Sequence, residues 1–315
     1  EVGQLRQQAR SLERTIIRSI LDSADVICTT TTVDEDLLGD RKFDLVVIDE
    51  AGQCTEPAIW QAALRADRMV LAGDYCQLPP TIVSEVAARE GFAVSSLERL
   101  VERFGDDIFR RLIVQYRMHE SIMQFSSDQF YDGELIADAS VRQHRLIDLP
   151  HVAASEETEC VLQYWDTAGA EWHEELEPDG ESKLNRREAQ WVVEQVRSLL
   201  EAGLRPEEIA VIAPYAAQVR LIRNRIQLPA VEVDTVDGFQ GREKEAVVLS
   251  LVRSNETGEV GFLKDTRRTN VALTRARRHL RIIGDSATLA NHPFYAELIE
   301  YFQSQSAYRS VWELV

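Results

Sequence analysis

No stretch of these 315 residues approaches about 18 uninterrupted apolar positions, so the sequence predicts no membrane-spanning helix. It has no signal-peptide pattern, and it opens on Glu1, which suggests a fragment or a processed chain. Cysteine is scarce: Cys28, Cys54, Cys76 and Cys160 never fall in a C-x-x-C spacing. That argues against a zinc site or a disulfide framework and for a reducing compartment, cytoplasmic or nuclear. There is no internal repeat and no low-complexity segment. Positive charge is also short, with 35 Lys and Arg against 53 Asp and Glu and a net charge of −18. Taken as a sum, that balance argues against a nucleic-acid partner.

The distribution matters more than the sum. Residues 151–182 hold ten acidic residues and no Lys or Arg, the pattern of a solvated, loop-like insertion. Residues 267–281 hold six arginines: Arg267, Arg268, Arg275, Arg277, Arg278 and Arg281. An apolar fraction of 44% and a charged fraction of 28% are those of a soluble globular chain, long enough for two domains.

Periodicity predicts an amphipathic helix over 1–24, a strand at 25–29 and a further strand at 44–49. A helix near 56–65, a strand at 68–73 and a helix at 95–104 follow. A fresh alternation then begins: strand 111–115, helix 119–126, strand 160–165, helix 184–202, strand 209–213 and helix 215–226. Strands at 231–235 and 245–252, a helix at 268–276, a strand at 278–284 and a helix near 293–303 complete it. Alternation of this kind predicts the α/β class with doubly wound parallel sheets, here two of them.

Five strings carry candidate chemistry. Leu45 to Ile48 form a continuous apolar run, expected to be a parallel strand covered on both faces, and it ends in Asp49-Glu50. Such sheets place functional groups at the carboxyl ends of their strands. One carboxylate of the pair can hold Mg²⁺ while its neighbour orients or deprotonates a water. Alone, the pair is more often an ordinary solvated strand end. Gly73-Asp74-Tyr75-Cys76-Gln77-Leu78-Pro79-Pro80 follows the next apolar strand, and its glycine and prolines fix a tight loop. Gln77 offers an amide there that can report on a phosphate or align a water.

Gln115-Tyr116-Arg117-Met118-His119 gives an aromatic suited to a base or sugar and an arginine suited to a phosphate. In Val233 to Lys244, Gly238 and Gly241 bracket Phe239-Gln240, leaving backbone amides free to approach phosphates. Glu243 is suited to a ribose hydroxyl and Thr235 to a backbone phosphate. Arg268 to Arg278 is expected to be a helix with arginines on more than one face. Arginine suits the spread charge of a phosphoryl-transfer transition state.

In this order the strings resemble the superfamily 1 helicases of the branch that includes the nonsense-mediated-decay helicase and the immunoglobulin-μ-binding helicase. Asp49 to Gln53 resembles motif II, Gly73 to Pro80 motif III, Gln115 to His119 motif IV, Val233 to Lys244 motif V, and Asn270 to Arg277 motif VI. The likeness runs from about residue 15 to the C-terminus. It implies two RecA-like domains, 1–108 and 109–315, the first incomplete at its N-terminus, with ATP bound in the cleft between them. Residues 1–24 are similar to the end of the family's helical insertion. By the same resemblance Asp49 binds Mg²⁺, Glu50 activates water, and Gln77 senses the γ-phosphate. Tyr116 and Glu243 contact base and ribose, with Gly241 in the phosphate-facing loop. Arg117 and Arg275 are the two arginine fingers. Thr30, in motif Ic, and Thr235 grip a single strand of DNA or RNA, along which members of the family move 5′→3′.

One part is missing. None of the 15 glycines precedes a lysine, so there is no G-x-x-x-x-G-K-[ST] loop to cradle the β- and γ-phosphates. The family's loop lies upstream of Glu1. The expectation is therefore the C-terminal portion of an ATP-dependent helicase, partnered by an N-terminal P-loop segment of the same protein and inactive alone. The alternatives are a non-catalytic interaction module on a helicase scaffold, or the motor of a helicase–nuclease.

Overall fold

The computed structural model describes residues 2–178 and 180–314. They divide into two units: the chain up to Tyr75 with Pro79–Phe109, and Cys76–Leu78 with the chain from Arg110 onward. No helix among the described residues is long and apolar enough to cross a membrane.

In the first unit, α1 (Val2–Ser23) takes the expected helical span, yet Leu5, Leu12, Ile16 and Ile20 on its apolar stripe are all exposed. Two short parallel strands follow, β1 (Val46–Ile48) and β2 (Met69–Leu71), with Val47 opposite Val70. The helices α2 (Glu56–Ala63) and α3 (Ser96–Phe104) complete the unit. α2 carries Pro57 in its first turn, where its fixed φ and missing N–H are accommodated. α3 is capped by Ser95, whose hydroxyl accepts from the Glu98 N–H at 3.1 Å. Ile48 and Ala51 pack with Ile59 of α2 and Leu97 of α3 as a small core.

Two expectations fail here. Residues 25–29 form no strand, and Val26 is 77% exposed, because the segment pairs with no neighbouring strand. Nor is the 45–48 run covered on both faces: Leu45 and Val47 are exposed. β1 pairs only with β2 among the described residues, and its core contacts lie on the Val46 and Ile48 side.

The second unit opens with β3 (Val114–Gln115), α4 (Glu120–Phe130) and β4 (Ile136–Ala137), β3 and β4 pairing in parallel. The main elements are then β5 (Leu162–Asp166), α5 (Arg186–Glu201), β6 (Ile209–Ala213), α6 (Ala216–Ile226), β7 (Glu232–Thr235) and β8 (Lys244–Ser250). They continue with α7 (Thr266–Leu273), β9 (Ala276–Gly284), α8 (Pro293–Ser304) and β10 (Tyr308–Ser310). Six of these strands form one parallel sheet in the order β10-β5-β9-β8-β6-β7. This is the α/β class expected.

Strand alternation builds its two cores. Along β6, Ala210 and Ile212 join the cluster containing Phe294, Leu298 and Phe302 of α8. Ile209, Val211 and Ala213 join Val192, Val196 and Leu199 of α5 on the other side. β8 divides likewise, Val247 and Leu249 against Ala246 and Val248. With both faces covered, each of these strands reads as an unbroken apolar run.

Candidate active site

The carboxylate pair stands where β1 runs out. Asp49 Oδ1 accepts from the Glu50 N–H at 2.9 Å, and Glu50 adopts a left-handed backbone with φ 52°. A non-glycine residue held so costs of order 1 kcal/mol and survives only where its surroundings fix it. Here the fixing bonds are Ala51 N–H to Ala72 O at 2.8 Å and Gln53 Nε2 to Glu50 Oε2 at 2.8 Å. The loop after β2 passes in backbone contact with this turn. A Cβ on Gly73 would lie 2.8 Å from Ala51 N, and one on Gly52 2.7 Å from Asp74 O. The glycines of both strings are therefore packing requirements of one double loop. Asp49 and Glu50 themselves are exposed. Beside them, burial and then the charge of Glu50 push the Cys54 thiol pKa up. Thr30, in the same unit, is exposed, with its hydroxyl 3.3 Å from that of Thr32.

The second unit gathers most of the other candidates. Gln115 fixes the loop after β3: its Oε1 accepts from Arg117 N at 2.8 Å and Met118 N at 2.7 Å. His119 N donates to Arg277 O at 2.9 Å, tying that loop to the start of β9. Burial, then the charges of His144 and Arg145, lower the His119 pKa to about 4, so the ring is neutral and its Nδ1 accepts from Ser121 N at 3.0 Å. Arg117 is thereby aimed at Glu243, with which it forms an ion pair through Nε, while its Nη1 donates to Thr274 O at 3.2 Å. Glu243 also accepts from Arg277 Nη1 at 3.3 Å. Tyr116, next to Arg117, is 67% exposed.

Arg275 is 2% exposed and held on several sides. Its Nε donates to Val271 O at 2.9 Å, and its Nη2 lies 3.1 Å from Thr274 Oγ1 and 3.4 Å from Gln77 Oε1. Gln77 belongs to this unit although it follows β2 of the first. The motif III amide and the motif VI guanidinium are thus brought together.

The loop after β7 is equally tight. Thr235 Oγ1 accepts from Gly238 N at 3.1 Å, and a Cβ on Gly238 would sit 2.6 Å from Asp234 Oδ1. Phe239 is fully buried as the loop's anchor, and Gly241 has φ +74°. One expectation changes: residues 268–278 are not a single helix. α7 stops at Leu273, where the Thr274 hydroxyl turns back to Asn270 O at 2.9 Å, and Arg277 and Arg278 lie on β9.

An exposed carboxylate pair at a strand end suits hard-cation and water chemistry. Among the described residues no three His, Cys, Asp or Glu side chains cluster as an all-protein metal cage. In the second unit, two oriented guanidiniums with an amide suit anionic phosphate.

The AAA domain family profile matches residues 92–287, and a second AAA domain profile matches residues 1–85. The chain belongs to the AAA domain family. Within it, the chain lies in the superfamily 1 helicase branch that its motifs resemble. It is 46% identical over 99% of its length to the DNA-binding protein SMUBP-2 of Mesocricetus auratus, covering 32% of that protein. It is 40% identical over 97% of its length to the DNA polymerase alpha-associated DNA helicase A of Schizosaccharomyces pombe, covering 47%. A Regulator of nonsense transcripts 1 homolog of Neurospora crassa is 39% identical over 97% of the chain, which covers 29% of it. The AAA domain chain thus spans 29% to 47% of these relatives' length.

Two features of this AAA domain escaped sequence reasoning. The first is the partner set of Glu243: Arg277 bridges it to Glu245, whose other oxygen accepts from Arg278 at 2.7 Å. Alternation of Arg and Glu on two adjacent strands was the available signal. The second is a buried polar knot at the carboxyl end of β8. Glu188 of α5 accepts from Ser250 Oγ at 2.6 Å and from Val252 N at 2.9 Å, and Val252 has φ 71°. Burial raises the Glu188 pKa from 4.5 to about 7.

A raised acid pKa means that the folded state holds a proton which the unfolded state has released. Glu188 therefore withdraws stability as pH rises from about 4.5 to 7, by about 3 kcal/mol. His279, lowered to about 3 by burial and then by the charge of Arg281, acts oppositely, as does His119: each withdraws stability as pH falls below 6.5. The Glu188→Gln variant separates the two effects. Its stability relative to the parent should rise with pH across that window, as read from urea midpoints. A constant difference from pH 4.5 to 8 would show that Glu188 does not titrate there.

Proposed function

We propose that these residues supply the hydrolytic and strand-gripping machinery of an ATP- and Mg²⁺-dependent helicase moving 5′→3′ along single-stranded DNA or RNA. The observation that carries this reading is the Arg275–Gln77 contact, a buried guanidinium oriented by Val271 O and joined to a motif III amide. A nucleotide-binding chain has reason to hold that pair; a generic scaffold has none. Bound Mg²⁺ would neutralise phosphate charge, and Asp49 would be the carboxylate that holds it. Glu50 takes the proton of the attacking water. Arg117 and Arg275 counter the charge of the transferring phosphoryl group, and Glu243 both orients Arg117 and serves the ribose. Tyr116 offers an exposed ring to the base, and Thr30 and Thr235 offer hydroxyls to strand phosphates. The names of the relatives, which include a DNA helicase and a DNA-binding protein, support the same reading.

The test is unwinding by a protein that joins these residues to a G-x-x-x-x-G-K-[ST] loop, offered duplexes with a 5′ or a 3′ single-stranded tail. ATP-dependent opening of the 5′-tailed duplex alone is expected. Opening of the 3′-tailed duplex alone would overturn the polarity, and opening of neither would overturn the helicase reading. The 315 residues by themselves should hydrolyse ATP at background rate, because no lysine-bearing loop supplies the main contacts to the β- and γ-phosphates. Phosphate release measured with and without single-stranded oligonucleotide checks this. Robust stimulated turnover would show that the loop is dispensable.

A further inference from the structure

Cys76–Leu78 belong to the second unit, although the chain on either side of them belongs to the first. This short segment carries Gln77, the amide that meets Arg275, and it is tied down on both sides of that residue. Leu78, after it, is buried in the cluster that holds Met118, Ile122 and Phe125. Cys76, before it, donates through Sγ to Phe130 O at 3.3 Å. The Cys76 carbonyl accepts from Asn270 Nδ2 at 3.0 Å, and the same nitrogen donates to Tyr131 Oη at 3.1 Å.

Asn270 is fully buried in α7, and Val271, Ala272 and Leu273 after it are buried as well. Its Oδ1 is buried with no hydrogen-bond partner among the described residues. Turning the amide over does not cure this, because Cys76 O can only accept and needs Nδ2 opposite it. A leucine of nearly the same shape would fill the space without an orphaned acceptor, so burial alone does not favour asparagine. What the asparagine adds is a directed bond to one backbone carbonyl. The same turn of α7 fixes the other half of the pair. Val271 O accepts from Arg275 Nε at 2.9 Å, and Asn270 O accepts from Thr274 Oγ1 at 2.9 Å. Thr274 Oγ1 in turn lies 3.1 Å from Arg275 Nη2, and Gln77 Oε1 comes within 3.4 Å of that nitrogen. One turn of helix sets both the guanidinium and the amide.

We propose that Asn270 is a positioning residue for hydrolysis: its side-chain amide holds the Cys76 carbonyl so that Gln77 faces Arg275 before nucleotide arrives. Asn270 is given no contact with nucleotide and acts through Gln77. Its kinetic consequence rests on the helicase reading; the placement of Gln77 rests on the geometry alone. A group displaced by about 1 Å from its working position can cost up to roughly 10²-fold in rate, which sets the scale of the effect.

The experiment compares Asn270→Leu, Gln77→Ala and the double variant in the loop-bearing protein of the unwinding test. In Asn270→Leu, turnover at saturating ATP and single strand should fall roughly tenfold or more, with the KM for ATP within about threefold of the parent. The double variant should turn over no more slowly than Gln77→Ala alone, because Asn270 then has nothing left to position. Losses that multiply, or an Asn270→Leu rate within about twofold of the parent, would overturn the proposal. A readout free of turnover is the ¹⁵N resonance of the Gln77 side-chain amide, assigned from its absence in Gln77→Ala. In Asn270→Leu it should move towards its position in Arg275→Ala, where its partner is gone. An unmoved signal overturns the proposal whatever the rate. A parent that fails to hydrolyse ATP, with the signal displaced in Asn270→Leu, would sink the helicase reading and uphold the placement of Gln77 by Asn270. Should Asn270→Leu not fold, Asn270→Ser, too short to reach Cys76 O, carries the same comparisons.

Discussion

Glu50→Gln, in a protein that joins these residues to a G-x-x-x-x-G-K-[ST] loop, is expected to slow nucleotide hydrolysis by roughly 10²-fold or more and to leave nucleotide affinity within a few-fold. The change is nearly isosteric, and the local geometry tolerates it. Gln53 Nε2 donates to Glu50 Oε2 at 2.8 Å, and a glutamine at position 50 keeps an oxygen for that bond. The left-handed turn is otherwise fixed by the backbone pairing of Ala51 with Ala72 and by the contact of Gly73 with Ala51, neither of which involves the Glu50 side chain. Asp49, the carboxylate assigned to Mg²⁺, is untouched. What disappears is the capacity of position 50 to take a proton from water. Steady-state phosphate release with saturating single strand, beside equilibrium binding of a fluorescent nucleotide, separates the two effects. Normal turnover removes Glu50 from the chemistry. Loss of binding with the residual rate proportionate would assign it to holding the nucleotide instead.

Much of the second unit was legible because its signals are local. The unbroken apolar runs at Ile209–Ala213 and in β8 mean strands covered on both faces, and that is how the sheet treats them. The helix expected from 184 begins at Arg186, where the Asn185 side chain caps it by accepting from Glu188 N at 3.0 Å. The motif strings, too, are local in sequence, and their glycines sit where loops touch. What failed depended on neighbours that a run of residues does not name. Leu45 to Ile48 read as a doubly covered strand, but coverage is a property of the flanking strands and helices, and here one side of β1 is exposed. Residues 25–29 have apolar content but no partner. The end of α7 was missed because a threonine hydroxyl closing on Asn270 O ends the helix in mid-motif, and arginines are at home in helix and strand alike. Gln77 illustrates the same limit: its packing against Arg275 joins positions far apart in the chain. The knot of Glu188, Ser250 and Val252 likewise spans more than sixty residues, and periodicity carries no information at that range.

Arg275→Ala should have the largest effect of any substitution in the second unit. In the loop-bearing protein, hydrolysis is expected to fall about 10³-fold or more and unwinding to vanish with it. The guanidinium is already oriented before any nucleotide arrives. Val271 O fixes Nε at 2.9 Å, and Thr274 Oγ1 and Gln77 Oε1 flank Nη2 at 3.1 and 3.4 Å. A charge held this way needs little reorganisation to meet a transferring phosphoryl group, which is where electrostatic catalysis gains most. Lysine should not rescue it, because a single ammonium cannot satisfy Val271 O and face Gln77 at once. Removing a buried, hydrogen-bonded arginine also costs stability, so the urea midpoint is measured on the same preparation, and rates are compared only below the onset of unfolding. Binding of a single strand without nucleotide should persist in the variant and weaken as salt rises, because strand contacts are to phosphates and release counterions. The three readouts make the assignment decidable. Should a folded Arg275→Ala protein lose strand binding yet keep its hydrolysis, Arg275 belongs to the strand-gripping surface, and the guanidinium that answers the γ-phosphate must be sought elsewhere, with Arg117 beside Glu243 the first to examine.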